Sequence, residues 1–310
     1  MDRHATEMAT SPESARTFVG NWEGILPTVR PTLGFVGAGR AGSALAHAFA
    51  RAGYHVAAVY SRTPEHTRWL ATALGAEACH SPVDVARRVE VLFLTVPDDQ
   101  IAAVARELEL APLPNPPLVA HCSGALDRSV LSELRAAGFR TAGFHPLQSL
   151  TGASSAERLS GSCVGIEADE REASILTSLA RDLGAVPLLV PADRKLPYHV
   201  AAVLASNYLV ALLDSAVSLL SEVGCSRDLA MDALLPLVEG TVANLRSAPP
   251  AQALTGPIAR GDLSTVAAHM SYLREAHPEL VELYRALGLR TVETARSRSE
   301  TASMRELLAL

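Results

Sequence analysis

The feature that most constrains this chain is the stretch at 33–53, LGFVGAGRAGSALAHAFARAG. An apolar tetrad runs into Gly37-Ala38-Gly39-Arg40-Ala41-Gly42 and then into an alanine-rich pattern of helical period. This is a strand, a glycine turn and a helix. The first glycine permits the tight turn, the second lets the backbone approach a pyrophosphate, and the third lets helix and strand pack closely. GxGxxG alone is a weak signal. The strand before it, the helix after it and a second strand over 55–60 supply the context that makes it a dinucleotide site. That second strand ends in Tyr60-Ser61-Arg62-Thr63, without the Asp or Glu that holds the ribose hydroxyls of an unphosphorylated cofactor. Two hydroxyls around a guanidinium suit a ribose 2′-phosphate, and Arg40 can close over the same group. The expected cofactor is NADP(H); a solvated surface arginine is the plainer alternative.

With 310 residues and 48% hydrophobic content, the chain is long enough for two domains with cores of their own. A net charge of −6 and the lack of any Lys/Arg run exclude a nucleic-acid face. Cys79, Cys122, Cys163 and Cys225 lie far apart, with neither CxxC nor zinc spacing, so no metal site is expected and buried thiols in a reducing cytoplasm are the preferred reading. Residues 1–30 read as a loose arm without the apolar core of a signal peptide. The run at 196–213 is almost continuously apolar, but His199, Ser206 and Asn207 interrupt it. Its small alanines suit packing within a protein better than lipid contact, and no membrane partner is expected.

Along the chain, helices are expected at 67–74 and 83–88, then a buried strand at 91–96. Thr95-Val96-Pro97 at its carboxyl end should sit beside the cofactor, because ligands of open parallel sheets bind outside that edge. A helix at 101–108 leads to a strand at 118–120 and the loop His121-Cys122-Ser123-Gly124-Ala125. A helix at 129–137 and a strand at 141–144 precede the turn His145-Pro146-Leu147-Gln148, and strands at 162–167 and 185–190 flank a helix at 170–183. Beyond Pro191 only helices are expected, at 197–223, 227–239, 242–245, 263–268 and 278–295. The domains are thus an arm (1–30), an α/β dinucleotide-binding domain with a doubly wound parallel sheet (31–193), and an all-helical domain for substrate and dimerisation (194–310).

Hydride transfer to a carbonyl needs a proton donor near the oxygen and groups that stabilise the developing alkoxide. The best local cluster is Lys195-Leu196-Pro197-Tyr198-His199 with Ser206-Asn207. On one helix, Lys195 and His199 are a turn apart, Ser206 returns to the same face, and Asn207 is rotated by about 80° from His199. Lys195 is the candidate general acid, against a solvated helix-start lysine. His199 is a relay or substrate contact, against a satisfied core histidine. Ser206 and Asn207 bind a substrate carboxylate or hydroxyl, or bridge helices. Ser123 and Gly124 follow a strand and offer a hydroxyl and backbone N–H groups, against a simple cap. His145 and Gln148 follow the next strand, against a plain turn. Arg260 in the loop at 255–262 can grip an acid, against a salt bridge with Asp262. Cys122 reads as a neutral buried thiol.

Taken together, these segments resemble the Rossmann-like proteins that carry a DUF2520 helical domain. The marks are GFVGAGRAGSALA at 34–46, HCSGAL at 121–126, GFHPLQSL at 143–150, KLPYHVAAVLASNYLVALL at 195–213 and LTGPIARGD at 254–262. The resemblance implies a C-terminal domain of the 6-phosphogluconate-dehydrogenase type and a homodimer joined through its helices. Members are similar to ketopantoate reductases, pyrroline-5-carboxylate reductases and β-hydroxyacid dehydrogenases, and some act as a second type of ketopantoate reductase in pantothenate synthesis. The catalytic lysine and substrate-binding asparagine of the wider superfamily carry over to Lys195 and Asn207. The HCSGA and HPLQS loops depart from the ordinary ketopantoate reductases, so further substrate residues are not carried over. The expectation is a cytoplasmic NADPH-dependent reductase of a small 2-oxo acid, ketopantoate first. In it Lys195 protonates the oxygen, and Ser123, His145, Asn207 and Arg260 hold the substrate. An imine or β-hydroxyacid oxidoreductase on the same scaffold, and a non-catalytic NADP(H)-binding sensor, are the alternatives.

Overall fold

A computed structural model of the chain describes residues 30–295 and 301–309, so the arm expected at 1–30 lies outside the described residues except for Arg30. The first compact unit runs to Tyr208 and the second begins at Leu209. In the first unit the chain alternates strand and helix: β1 (Leu33–Val36), α1 (Arg40–Arg51), β2 (Val56–Tyr60), α2 (Pro64–Leu74), β3 (Glu77–Ala78), α3 (Pro82–Ala86), β4 (Val91–Leu94) and α4 (Asp98–Glu109). Then follow β5 (Leu118–His121), α5 (Ser132–Ala136), β6 (Arg140–Leu147), β7 (Cys163–Glu167), α6 (Glu170–Asp182) and β8 (Val186–Leu189). The strands form one sheet in the order β3-β2-β1-β4-β5-β6-β7-β8. The order reverses between β1 and β4, and such a switch point opens a crevice at the carboxyl ends of the two strands.

The central strands read as unbroken apolar runs because both their faces are covered. One face is an aromatic stack, in which Phe93 lies 5.3 Å between ring centroids from each of Phe35, Phe49 and Phe144. The other is aliphatic, with Val36, Leu92, Leu94, Ile101, Leu108 and Val119 at its centre.

Two expectations are corrected here. His145-Pro146-Leu147 is not a turn but the last part of β6, and β7 runs antiparallel to β6, so the sheet is mixed rather than wholly parallel. β5 pairs with β6 only as far as Gly143. Beyond that point β6 has β7 as its ladder partner, from Gly143↔Glu167 to Leu147↔Cys163, and a one-sided position of this kind tolerates a proline.

The long helix expected at 197–223 is broken. It forms α7 (Lys195–Ala205) and α8 (Asn207–Ser221), separated by Ser206 at φ −124°, ψ −72°. The stretch Ala192–Ser221 is long and apolar enough to cross a membrane by length and composition. By its contacts α7 belongs to the first unit. The physical reason is that its polar face is seated on the sheet. Its apolar residues Leu196, Val200 and Leu204 are exposed.

The second unit continues with α9 (Arg227–Ser247), α10 (Pro250–Ala253), α11 (Pro257–Arg260), α12 (Leu263–Ala276), α13 (Pro278–Thr294) and α14 (Thr301–Ala309). Its core is Val266, Met270, Val292, Met304 and Leu308. No strand among the described residues follows β8, which bears out a helical C-terminal region. α9 is one helix that carries Pro236 inside it, where two segments are expected from the sequence, and α14 lies in a tail the sequence pattern leaves unread.

Candidate active site

The glycine turn is built by contacts that leave no room for side chains. Gly37 has φ 112°, and a Cβ there would lie 2.6 Å from the Thr95 carbonyl. A Cβ on Gly42 would collide with the Gly37 carbonyl oxygen, whereas one on Gly39 would meet nothing within 4 Å. Two glycines are therefore needed for packing, and the third leaves an open approach. Gly39 is the N-cap of α1, whose first turn has no side-chain cap and no acidic residue, an arrangement that favours an anion. Thr95 donates its hydroxyl to the Gly37 carbonyl at 2.7 Å, so it shapes the turn, while Val96 and Pro97 continue the end of β4. At the end of β2, Thr67 accepts from the Ser61 N–H (2.8 Å) and donates to the Ser61 carbonyl (3.1 Å), fixing the loop that displays Arg62 and Thr63. Arg62 is exposed and donates to Gln100 at 3.2 Å; Arg40 is exposed as well.

A second cluster lies along the same edge. His121 pairs in register with Leu94, the residue before Thr95, and with Gly143, which in turn pairs with Glu167. Register partners project to the same face. The row His121, Gly143, Glu167 therefore has a gap at its centre, and α7 fills it. Lys195, 1% exposed, places Nζ 3.3 Å from where a Gly143 Cβ would stand. His121 Nε2 is 3.4 Å and Glu167 Cβ 3.5 Å from that same point. Lys195, Tyr198 and His199 fall on one side of α7 by helical spacing. Tyr198 Oη occupies the space over Gly165, 2.6 Å from its missing Cβ, and His199 and His145 stand 2.6 and 2.8 Å from that of Gly124. The Tyr198 hydroxyl is 2.8 Å from His145 Nδ1, and the His145 and His199 ring centroids are 6.2 Å apart.

Burial, then the nearby Lys195 charge, pulls His121 down to about 3; burial, then Lys195 and His199, pulls His145 down to about 4. Both rings are neutral at neutral pH. Burial also lowers Lys195 from the usual lysine range, opposed chiefly by Glu167. Glu167 is raised by burial and drawn back by the Arg128 backbone N–H and by Lys195. Cys122 is pushed up to about 12 by burial, a neutral thiol. Neither ring nitrogen of His121 nor Lys195 Nζ has a hydrogen-bond partner among the described residues. Orphaned polar atoms are rare in folded proteins, and three around one niche mark a place prepared for something polar.

Several candidates are placed differently from expectation. The Ser123 hydroxyl donates to Asp98 at 2.8 Å and accepts from the Ala125 and Leu126 N–H groups, so it caps its own loop. The Gln148 amide donates to the Arg158 carbonyl and accepts from the Ser149 N–H, which spends both its ends within that loop. Ser206 and Asn207 are exposed, and the break at Ser206 removes the single helix on which Ser206 was to share a face with His199. Arg260 ends α11 in the second unit, and Asp262 beside it caps α12 by accepting from the Thr265 N–H at 3.1 Å. Sequence reasoning gives no role to Glu167 or to Tyr198. The signal that could have found them is Gly143 and Gly165, since a glycine inside a strand marks a close approach.

A Rossmann-like domain model matches residues 20–146, and a domain of unknown function, DUF2520, matches residues 162–291. No curated protein is significantly similar in sequence. Among solved structures, a Thermotoga maritima protein is 28% identical with a TM-score of 0.68, over 86% of this chain and 99% of that one. A Bacteroides fragilis protein is 23% identical with a TM-score of 0.71, over 89% and 98%. The reductive aminase of Aspergillus terreus in complex with NADPH and ethyl-5-oxohexanoate is 17% identical with a TM-score of 0.63, over 90% and 99%, a likeness of fold. The two matches follow one another along the chain: the Rossmann-like one covers the glycine turn and the strands through most of β6, and the DUF2520 one runs from β7 into the helical region.

Proposed function

We propose that this protein is an NADPH-dependent reductase of a small 2-oxo acid, with ketopantoate the leading substrate. The observation that carries the reading is Lys195. It is a buried amine without a hydrogen-bond partner among the described residues, on the strand-end edge that also bears the glycine turn and beside two neutral histidines. A proton donor to a reduced carbonyl belongs in such a place. The open approach over Gly39, the uncapped α1 and the carboxylate-free loop at 61–63 fit NADP(H). Bound there, the cofactor supplies the hydride. Arg62 and Arg40 offer guanidinium groups to its 2′-phosphate, and α1 faces the pyrophosphate. Lys195 gives its proton to the substrate oxygen, and His145 and His199, packed over Gly124, shape the wall beside it.

Support for ketopantoate comes from the resemblance of the HCSGAL, GFHPLQSL and LTGPIARGD segments to DUF2520 proteins, some of which act as a second type of ketopantoate reductase; the first two segments are not those of the ordinary ketopantoate reductases. A second reading, reduction of a C=N bond, is favoured by the fold likeness to a reductive aminase. We place the protein in the cytoplasm, in keeping with four free thiols. The outward apolar residues of α7 fit a homodimer formed through the helices.

The test is NADPH oxidation by the purified protein with ketopantoate, run beside cyclic imines, with NADH as the competing cofactor and with Lys195→Ala. Turnover with NADPH that falls by about 10²–10⁴ in the variant, at unchanged NADPH affinity, is the expected result. Tight binding without turnover of any oxo acid overturns the reading.

A further inference from the structure

We infer that Glu167 is a positioning residue that holds Lys195 as an ammonium ion in the niche over Gly143. Three observations converge on it. Glu167 and His121 occupy the two ends of a register row whose middle member has no side chain, and Lys195 enters that gap. Glu167 is 4% exposed and Lys195 1%, so their charges act on each other with little screening by water. The Glu167 carboxylate is also held in place, because the Arg128 backbone N–H donates to both its oxygens at 3.0 and 3.1 Å.

Other groups around the amine do not replace it. His121 and Cys122 from the end of β5 are neutral, as is His145 on β6. Asp98, at the head of α4, is exposed and accepts from Ser123. Asp127 is only partly buried and accepts from the Ser129 N–H. Tyr198, on α7 itself, offers its ring face 5.9 Å from Nζ. The Arg128 guanidinium, the other cation near Glu167, is 3.9 Å from its Oε1 and is bonded to Asp169 at 2.6 Å. Glu167 is therefore the buried carboxylate of the register row that Lys195 enters, and its charge reaches the amine through space. Without it nothing comparable would oppose the burial that already lowers Lys195 from the usual lysine range, since burial disfavours the charged form.

The part that concerns catalysis rests on the reductase reading. There the Nζ–H bond of the ammonium breaks as the new O–H bond of the alcohol forms, and the neutral amine regains its proton from solvent. Glu167 touches neither the substrate nor the cofactor in this scheme; it sets the pH at which the ammonium is present.

The experiment is to titrate the Lys195 amine by NMR in the full-length protein and in Glu167→Gln, and to record the pH profile of kcat in both. Glutamine keeps an oxygen for the Arg128 N–H and removes the charge. We expect the Lys195 midpoint to fall by about one unit in the variant. The basic limb of the rate profile should move to lower pH by the same amount, with the rate well below the limb unchanged. Glu167→Asp should restore most of the midpoint. An unchanged Lys195 midpoint in Glu167→Gln overturns the inference whatever the rates do. If the midpoint moves but no substrate turns over, the pairing stands and the reductase reading fails. Should Glu167→Gln not fold, Lys195→Met supplies the reciprocal test. The Glu167 carboxyl midpoint must then rise, and a carboxyl that titrates as in the parent protein overturns the pairing.

Discussion

The two ends of the carboxyl edge use glycine for opposite purposes. At β1 and β4, Gly37 and Gly42 bring backbone onto backbone, and the surface that results, over Gly39, is left open. At β5 to β7, Gly124, Gly143 and Gly165 clear space on the sheet that side chains of α7 and His145 then fill. The first end therefore makes a site from amides and a helix terminus, insensitive to pH. The second makes one from ionisable groups whose properties depend on burial. One end is suited to hold a charged ligand and the other to manage a proton.

The comparison can be broken at either end. The largest effect is expected from Gly42→Val, whose side chain collides with the Gly37 carbonyl and displaces α1 from the strand. NADPH affinity by calorimetry should fall by roughly 100-fold or more, in line with losing an anion site built from positioned backbone. Affinity within a few-fold of the parent would remove the first end from cofactor binding.

Next comes acid stability, which should belong to the second end. The unfolded His121 takes up a proton near pH 6.5 and the folded one only near 3, so the unfolded state binds more protons between these values. Stability is complete above pH 6.5 and declines as pH falls through that window. His121 contributes roughly 2 kcal/mol of loss by pH 5 at about 1.4 kcal/mol per unit. Denaturant unfolding of His121→Leu should show a flatter acid limb than the parent; an identical limb would refute the neutral buried state of this ring.

The smallest effect, and the sharpest contrast, is expected from Gly143→Ala. Its Cβ enters the niche 3.3 Å from Lys195 Nζ and 3.4 Å from His121 Nε2, so the amine must shift by a few tenths of an ångström. We expect kcat to fall by about tenfold, as for a misplaced acid, with NADPH affinity unchanged. A loss of cofactor affinity here would mean that the two ends are not separable.

The first end was legible because its signals are local. A strand, three glycines and a helix lie within twenty-odd residues, and each glycine has a reason that nearest neighbours supply. The α/β class followed from alternating apolar runs, and the helical second half from the absence of further strand patterns after 190. The second end was legible only in fragments. Lys195 and His199 stood out as polar residues in an apolar helix, and their inward side was correctly linked to each other by helical spacing. Tyr198 stands in that cluster without a role of its own, and Glu167 reads as the end of a strand. Ser123 and Gln148 were assigned to substrate because nothing in the sequence reveals that Asp98 and the Arg158 carbonyl take up their hydrogen-bonding capacity.

What the sequence by itself determined is the strand-turn-helix with its phosphate-facing glycine, the buried central strands and the succession of domains, all consequences of short-range sterics and of hydrophobic period. What only the tertiary structure decided is the reversal of β7 against β6, the break of the apolar helix at Ser206, and the meeting of His121, Lys195 and Glu167 over Gly143. Those three residues are separated by dozens of positions in the chain. They share a niche because strand register aligns two of them and helix packing delivers the third. Register and packing are settled by the fit of whole surfaces, which no local pattern records.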